Sequence, residues 1–306
     1  IWITYLAAKV YDGHPDLETI RRPKTGWIPS GYEDAWLFRA REGCETLRFP
    51  HLGYAEEAKA SYRVFCELRE QGVVPPGLRF QVSLPLTESA FRMFAASADD
   101  FDLFWNGYEE AMGRELLALL GSIPAHDLLI QWDVCFEVLA IEVDDYAEGV
   151  FFWKAPGEPF VRYVRAIRTL SEFVPGEVPM GLHLCYGDLG HRHFVEPRDL
   201  SLLVRMANAA HEAVSRPIDF HHMPVPRERK DVAYLKPLAD LAIGDAKLYL
   251  GLVHHTDGVD GTMARLRQAQ GIVSNFGIAT ECGFGRRPQD SLPELFRIHR
   301  EATAAL

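Results

Sequence analysis

Pro179-Met-Gly-Leu-His-Leu-Cys185 is an apolar run, entered through a proline, that ends on a histidine and a cysteine two residues apart. Read as a β-strand, its period of two sends His183 and Cys185 to the same face. An imidazole and a thiol side by side are soft donors suited to zinc. A later run, Gly277-Ile-Ala-Thr-Glu-Cys282, closes on a second cysteine. Either cysteine alone would read as an ordinary buried thiol, and His183 alone as a satisfied core histidine. Taken together, they place the expected chemistry where strands end.

Working outward, Leu78–Leu84, Asp127–Asp133, Pro217–His222 and Ala246–Val253 are further short apolar runs, mostly entered through Gly, Pro or Asp. With the two runs above they make six expected strands. Ile1–Leu6 is a candidate seventh, and an irregular eighth falls near Thr46–Phe49. Between them lie stretches with helical spacing: Tyr62, Phe65 and Leu68; Phe104, Tyr108, Met112, Leu116 and Leu120; Tyr163, Ile167 and Leu170; Leu203, Met206 and Ala210. These stripes read as core. The alternation carries no repeat and no Pro/Gly/Ser linker, so residues 1–306 are expected to form a single α/β domain, a (β/α)8 TIM barrel. A doubly wound sheet is the runner-up, weakened by the lack of a Gly-x-Gly-x-x-Gly after any strand.

Composition narrows the function. The chain has 306 residues, 48% hydrophobic, with a formal charge of -11. That charge and the lack of a basic cluster argue against a nucleic-acid partner, and no apolar run approaches a membrane span. A small-molecule substrate is expected, and a homo-oligomer is compatible with the sequence. Five scattered cysteines suit a reducing, cytoplasmic setting rather than a disulfide framework. No basic lead of a signal peptide opens the chain, and without an initiator Met, Ile1 need not be the natural start.

Reactive side chains gather at the ends of expected strands. Seven of the 12 histidines (His183, His191, His193, His221, His222, His254, His255) fall there, beside Asp133, Asp188, Cys185, Glu281 and Cys282. Loops are polar in any protein, yet paired histidines at the ends of buried strands point to a cleft. Asp133 and Glu137, four apart where a strand meets a helix, form a candidate acid/base pair. Arg286 and Arg287, in a loop before a helix from about Leu292, are a candidate anion clamp, with solvated loop arginines as the bland alternative. Asp188 and His193 lie in the turn after Cys185 and are candidate pocket walls.

Ile130-Gln-Trp-Asp133, His183-Leu-Cys-Tyr186, Gly251-Leu-Val-His-His-Thr256 and Glu281-Cys-Gly283 come in the order that resembles the catalytic barrel of cobalamin-independent methionine synthase, within the superfamily that includes uroporphyrinogen decarboxylase. The similarity runs from about residue 55 to the C-terminus. It implies a zinc ion held by His183, Cys185 and Cys282, with Asp133 holding a substrate amine and His255 acting as the acid on the leaving nitrogen. The implied activity is methyl or alkyl transfer to a small thiol.

The departures are specific. Where that family carries a glutamate ligand, this chain has Pro217-Ile-Asp-Phe-His-His222, which offers His221 as the further ligand and Asp219 as its competitor. His222 and His254, beside them, are candidate substrate-binding residues. The family's long folate-binding segments are not found, so the substrate and donor do not transfer. The alternative function is a metal-free lyase or decarboxylase-like barrel acting on a small carboxylated substrate.

Overall fold

The computed structural model describes residues 2–30, 34–145, 151, 153–187 and 193–306. The chain falls into two compact units, Ile1–Met180 with Val214–Arg216 and Gly181–Ala213 with Pro217–Leu306.

The first unit opens with α1 (Trp2–Leu6), which runs into a wider π turn over Ala7–Tyr11. This corrects the strand expected at Ile1–Leu6. Leu6, Ala7, Val10 and Tyr11 are buried, the spacing of a helical face rather than a pleat. An antiparallel pair follows, β1 (Leu17–Arg21) on β2 (Leu37–Ala40). Thr46–Phe49 forms no strand, although Leu47 and Phe49 are buried. A Cβ on Gly107 would lie 2.4 Å from the Leu47 carbonyl oxygen, so only glycine lets the helix bearing it approach that segment.

Next come α2 (Tyr54–Glu70), β3 (Phe80–Pro85), α3 (Thr87–Phe91), α4 (Phe101–Leu120), β4 (Leu128–Val134), α5 (Phe136–Glu142) and α6 (Pro159–Ser171). β3 and β4 are parallel, from Phe80 beside Leu128 to Pro85 beside Asp133. Tyr11 packs edge-on against Phe38 and Phe104 at centroid distances of 5.6 and 5.5 Å. A buried ionic network crosses this unit. Arg162 contacts Glu88 at 2.7 Å and Asp145 at 2.6 Å, and Arg92 lies 3.6 Å from both carboxylates.

The second unit contains β5 (Met180–Leu184) from Gly181 onward, α7 (Ser201–Ala213), β6 (Phe220–Pro224), α8 (Val232–Leu235), β7 (Lys247–Val253), α9 (Gly258–Gln270), β8 (Gly277–Thr280) and α10 (Leu292–Thr303). Its strands pair in parallel in the order β5, β6, β7, β8. Every residue of β5 is buried, as expected of a parallel strand covered on both faces. Gly181 is required there: a Cβ would stand 2.2 Å from the ring of Phe220 on β6. Because the strands are parallel, their C-terminal ends share one edge, and the residues that follow them meet there.

All six expected parallel strands are present, shifted by at most a few residues at their ends. The observed fold is mixed α/β with parallel strands alternating with helices. Among the described residues the other two strands are the antiparallel β1 and β2, and no closed eight-stranded ladder is seen. No described helix is long and apolar enough to cross a membrane.

Candidate metal centre and adjoining cleft

Cys185 directly follows β5, two residues past His183, and Cys282 lies two residues past β8. One donor atom from each of His183, Cys185 and Cys282 lies within 4.8 Å of the other two, and His183 and Cys185 are buried. All five cysteines are free thiols. Donors around a tetrahedral zinc stand about 3.3 to 3.8 Å apart, given bonds of about 2.0 to 2.3 Å, so small side-chain adjustments bring this set to coordinating distance. The Gly187 amide also donates to Cys185 Sγ at 3.2 Å. A His/Cys/Cys set is soft enough for zinc, and three protein donors match the catalytic type of site, with one position left for substrate.

His222 supports this centre without joining it. It sits beside His183 in the β5–β6 register, and the two rings stack with centroids 4.5 Å apart. Its Nε2 lies 2.9 Å from the Thr280 carbonyl. A carbonyl only accepts, so that nitrogen carries the hydrogen, and His222 ties β6 to the end of β8 just before Cys282. Burial, and then the neighbouring His183, lower its pKa to about 3, keeping the ring neutral.

His221 is a correction. The register places it beside Leu182, on the opposite face from His183, and it is not in the donor group. Its Nε2 instead lies 2.8 Å from His211 Nε2 on α7, and burial, then His211, lower its pKa to about 3. Asp219, the alternative, is exposed before the start of β6, at the other end of the strand, and is also outside the donor group.

A cleft of about 240 Å³ opens in the same unit, lined by His193, Glu196, Arg227, His254, His255, Glu281 and Arg287 among others. Glu281 is its centre. Its Oε1 lies 2.5 Å from His193 Nε2, and its Oε2 lies 3.6 Å from His254 Nδ1. His193 Nδ1 is also 3.4 Å from Glu196. Burial alone would lower the pKa of His193, but Glu281 and then Glu196 outweigh it and raise it, favouring the imidazolium. His254 goes the other way, lowered chiefly by burial against the opposing pull of Glu281. His255 faces the same cleft but is exposed. Arg227 is paired with Glu228 and reaches Thr256, whereas Arg287 is half-buried in the cleft wall.

Two of the other expected residues belong to the first unit. Asp133 is the next-to-last residue of β4, and the Gln131 amide donates to it at 2.8 Å. Glu137 is buried in α5 and held by the Ser89 amide at 3.1 Å and the Ser89 hydroxyl at 2.5 Å. Burial, then Glu88, raise its pKa to about 7. Those bonds make Glu137 a structural tie between α3 and α5. Asp188 and His191 lie outside the described residues, as does the side chain of Arg286, whose backbone closes a short 3-10 turn. Glu281 carries no role legible in the sequence, although it directly precedes the candidate ligand Cys282. Arg265, a fully buried residue of α9 that pairs with Asp257 at 2.7 and 2.8 Å and braces the turn after β7, is likewise marked by no local pattern.

No family model and no curated protein matches the chain. Among solved structures, a proposed alpha-L-fucosidase from Bacteroides thetaiotaomicron VPI-5482 aligns over 87% of this chain and 94% of its own, at 10% identity and a TM-score of 0.34. CcCel6C, a glycoside hydrolase family 6 enzyme from Coprinopsis cinerea, aligns over 82% of this chain and 67% of its own, at 12% identity and a TM-score of 0.24. These TM-scores are too low to carry an argument about fold or activity.

Proposed function

We propose that this protein is a zinc-dependent enzyme that transfers a methyl or other alkyl group to a small thiol. The observation that carries the reading is the convergence of His183, Cys185 and Cys282, three soft donors from two strand ends, within 4.8 Å. A zinc ion bound there would supply a Lewis acid that lowers the pKa of a substrate thiol. His222 orients the His183 ring by stacking, and the Gly187 amide steadies Cys185. The reading retains Asp133 as the group that orients the substrate and His255 as an acid, both resting on the resemblance of their motifs. The eight-stranded closure of the barrel belongs to the same reading, supported by the six expected parallel strands.

A direct test incubates zinc-loaded protein with 2-mercaptoethanol and methyl iodide and follows the S-methyl product. The reading expects acceleration over the uncatalysed reaction that is lost on metal removal and in Cys185→Ser. Equal rates with and without metal would contradict it. The opposed protonation of His193 and His254 favours a second reading, a lyase acting on a carboxylated substrate, which would turn over without metal.

A further inference from the structure

The His193, Glu281 and His254 constellation is not part of the donor set, and its geometry dictates which nitrogen does what. His254 follows β7, and its Nε2 lies 2.8 Å from the Val225 carbonyl. A carbonyl cannot donate, so the neutral ring carries its hydrogen on Nε2 and presents a bare lone pair at Nδ1. That lone pair faces Glu281 Oε2 at 3.6 Å, an acceptor facing a carboxylate. In the neutral state the contact gains nothing. Once Nδ1 takes a proton, the same contact becomes an ion pair at the wall of the cleft. The Glu281 carboxylate is itself held from its other oxygen by His193, which Glu196 grips from behind. Arg265 and Asp257, the remaining charges acting on His254, are paired with each other, and Lys230 also contacts Asp257 at 3.1 Å.

We propose that His254 is the catalytic base that accepts the substrate's thiol proton at Nδ1, with Glu281 as counter-charge and His193 as the residue that positions Glu281. The proposal rests on the thiol-transfer reading and deepens it by naming the proton's destination. The S–H bond breaks, an N–H bond forms at His254 Nδ1, and the electron pair stays on sulfur for attack on the alkyl group. Glu281 precedes Cys282 in sequence and the β7 and β8 ends are paired neighbours, so the acceptor nitrogen and the metal donors share one edge of the unit. His255, the neighbour favoured by motif, is exposed, and no hydrogen bond among the described residues fixes its tautomer. His254 is the histidine that the fold orients.

Calorimetry of 2-mercaptoethanol binding to the zinc-loaded protein tests this, run near pH 7.5 in buffers of different ionisation enthalpy to count protons released. A free thiol is protonated at that pH, so a proton that leaves sulfur must go to solvent or to the protein. The wild type is expected to release measurably less than one proton per thiol bound, because the proton is shared between solvent and His254 Nδ1, where burial disfavours the imidazolium and Glu281 favours it. His254→Gln, whose side-chain amide can still donate to the Val225 carbonyl, is expected to release about one proton per thiol bound. Glu281→Gln, checked for zinc content, should fall between the two, because an imidazolium without its counter-charge is less favoured. Equal proton release by the wild type and His254→Gln, with thiol still binding, would overturn the base assignment alone. Failure of the thiol to bind zinc-loaded wild type would overturn both this assignment and the thiol-transfer reading.

Discussion

The rings of His183 and His222 lie parallel within 22° at a centroid distance of 4.5 Å, and the outer histidine is fastened to the Thr280 carbonyl. One candidate ligand is therefore oriented by a neighbour whose own hydrogen bond ends two residues before another candidate ligand, Cys282. Groups that orient a metal ligand in this way usually matter nearly as much as the ligand. His222→Ala, which loses both the stack and the bond, is expected to weaken zinc affinity by about 10- to 100-fold. His222→Phe keeps a ring against His183 and should weaken it less. Competition with a chromophoric chelator measures both, and unchanged affinity in His222→Ala would remove His222 from the centre.

Glu137 makes stability depend on pH in a definite direction. Burial, then Glu88, lift its pKa to about 7, above the ordinary value of 4.5, so the folded protein keeps a proton that the unfolded chain gives up. The stabilisation is complete below pH 4.5 and is lost as pH rises to about 7, with a total on the order of 3 kcal/mol. Urea unfolding at a series of pH values should show a flatter profile for Glu137→Gln than for wild type across that window. Identical slopes would show that Glu137 titrates normally.

The ionic network of the first unit predicts a large stability effect from a single truncation. Arg162→Met removes the closest cation from Glu88 and Asp145, both fully buried, and leaves them to Arg92 at 3.6 Å. A buried charge stripped of its partner costs about 3 to 5 kcal/mol. The urea midpoint should drop accordingly, whereas a loss below about 1 kcal/mol would mean that the carboxylates take up protons and relax.

How far the sequence could be read depended on the range of the interaction. The parallel strands were legible because each is a short apolar run entered through a turn residue, and His183 and Cys185 because a strand's period is local. That His221, expected as a ligand, faces away from His183 was not. It depends on the register of β6 against β5, and a shift of one residue turns every side chain to the opposite face. At the N-terminus, Ile and Trp suggested a strand, but the helical spacing of Leu6, Ala7, Val10 and Tyr11 against the aromatic core prevailed. Glu281 was visible at a strand end, yet its meaning comes from His193 and His254, which reach it from separate segments of the chain.

The central claim is that His183, Cys185 and Cys282 bind zinc, and equilibrium zinc titration of reduced wild type beside Cys185→Ser tests it most directly. Serine nearly preserves the size of the side chain but replaces a soft donor with a hydroxyl that zinc binds poorly at neutral pH. The account predicts a single tightly bound zinc per chain in the wild type and loss of most of it in the variant, with the fold retained. Zinc binding of equal strength in both proteins, or a wild type that binds none, would contradict it. Cys185 would then be a buried thiol whose replacement costs about 1 to 3 kcal/mol of stability and nothing more.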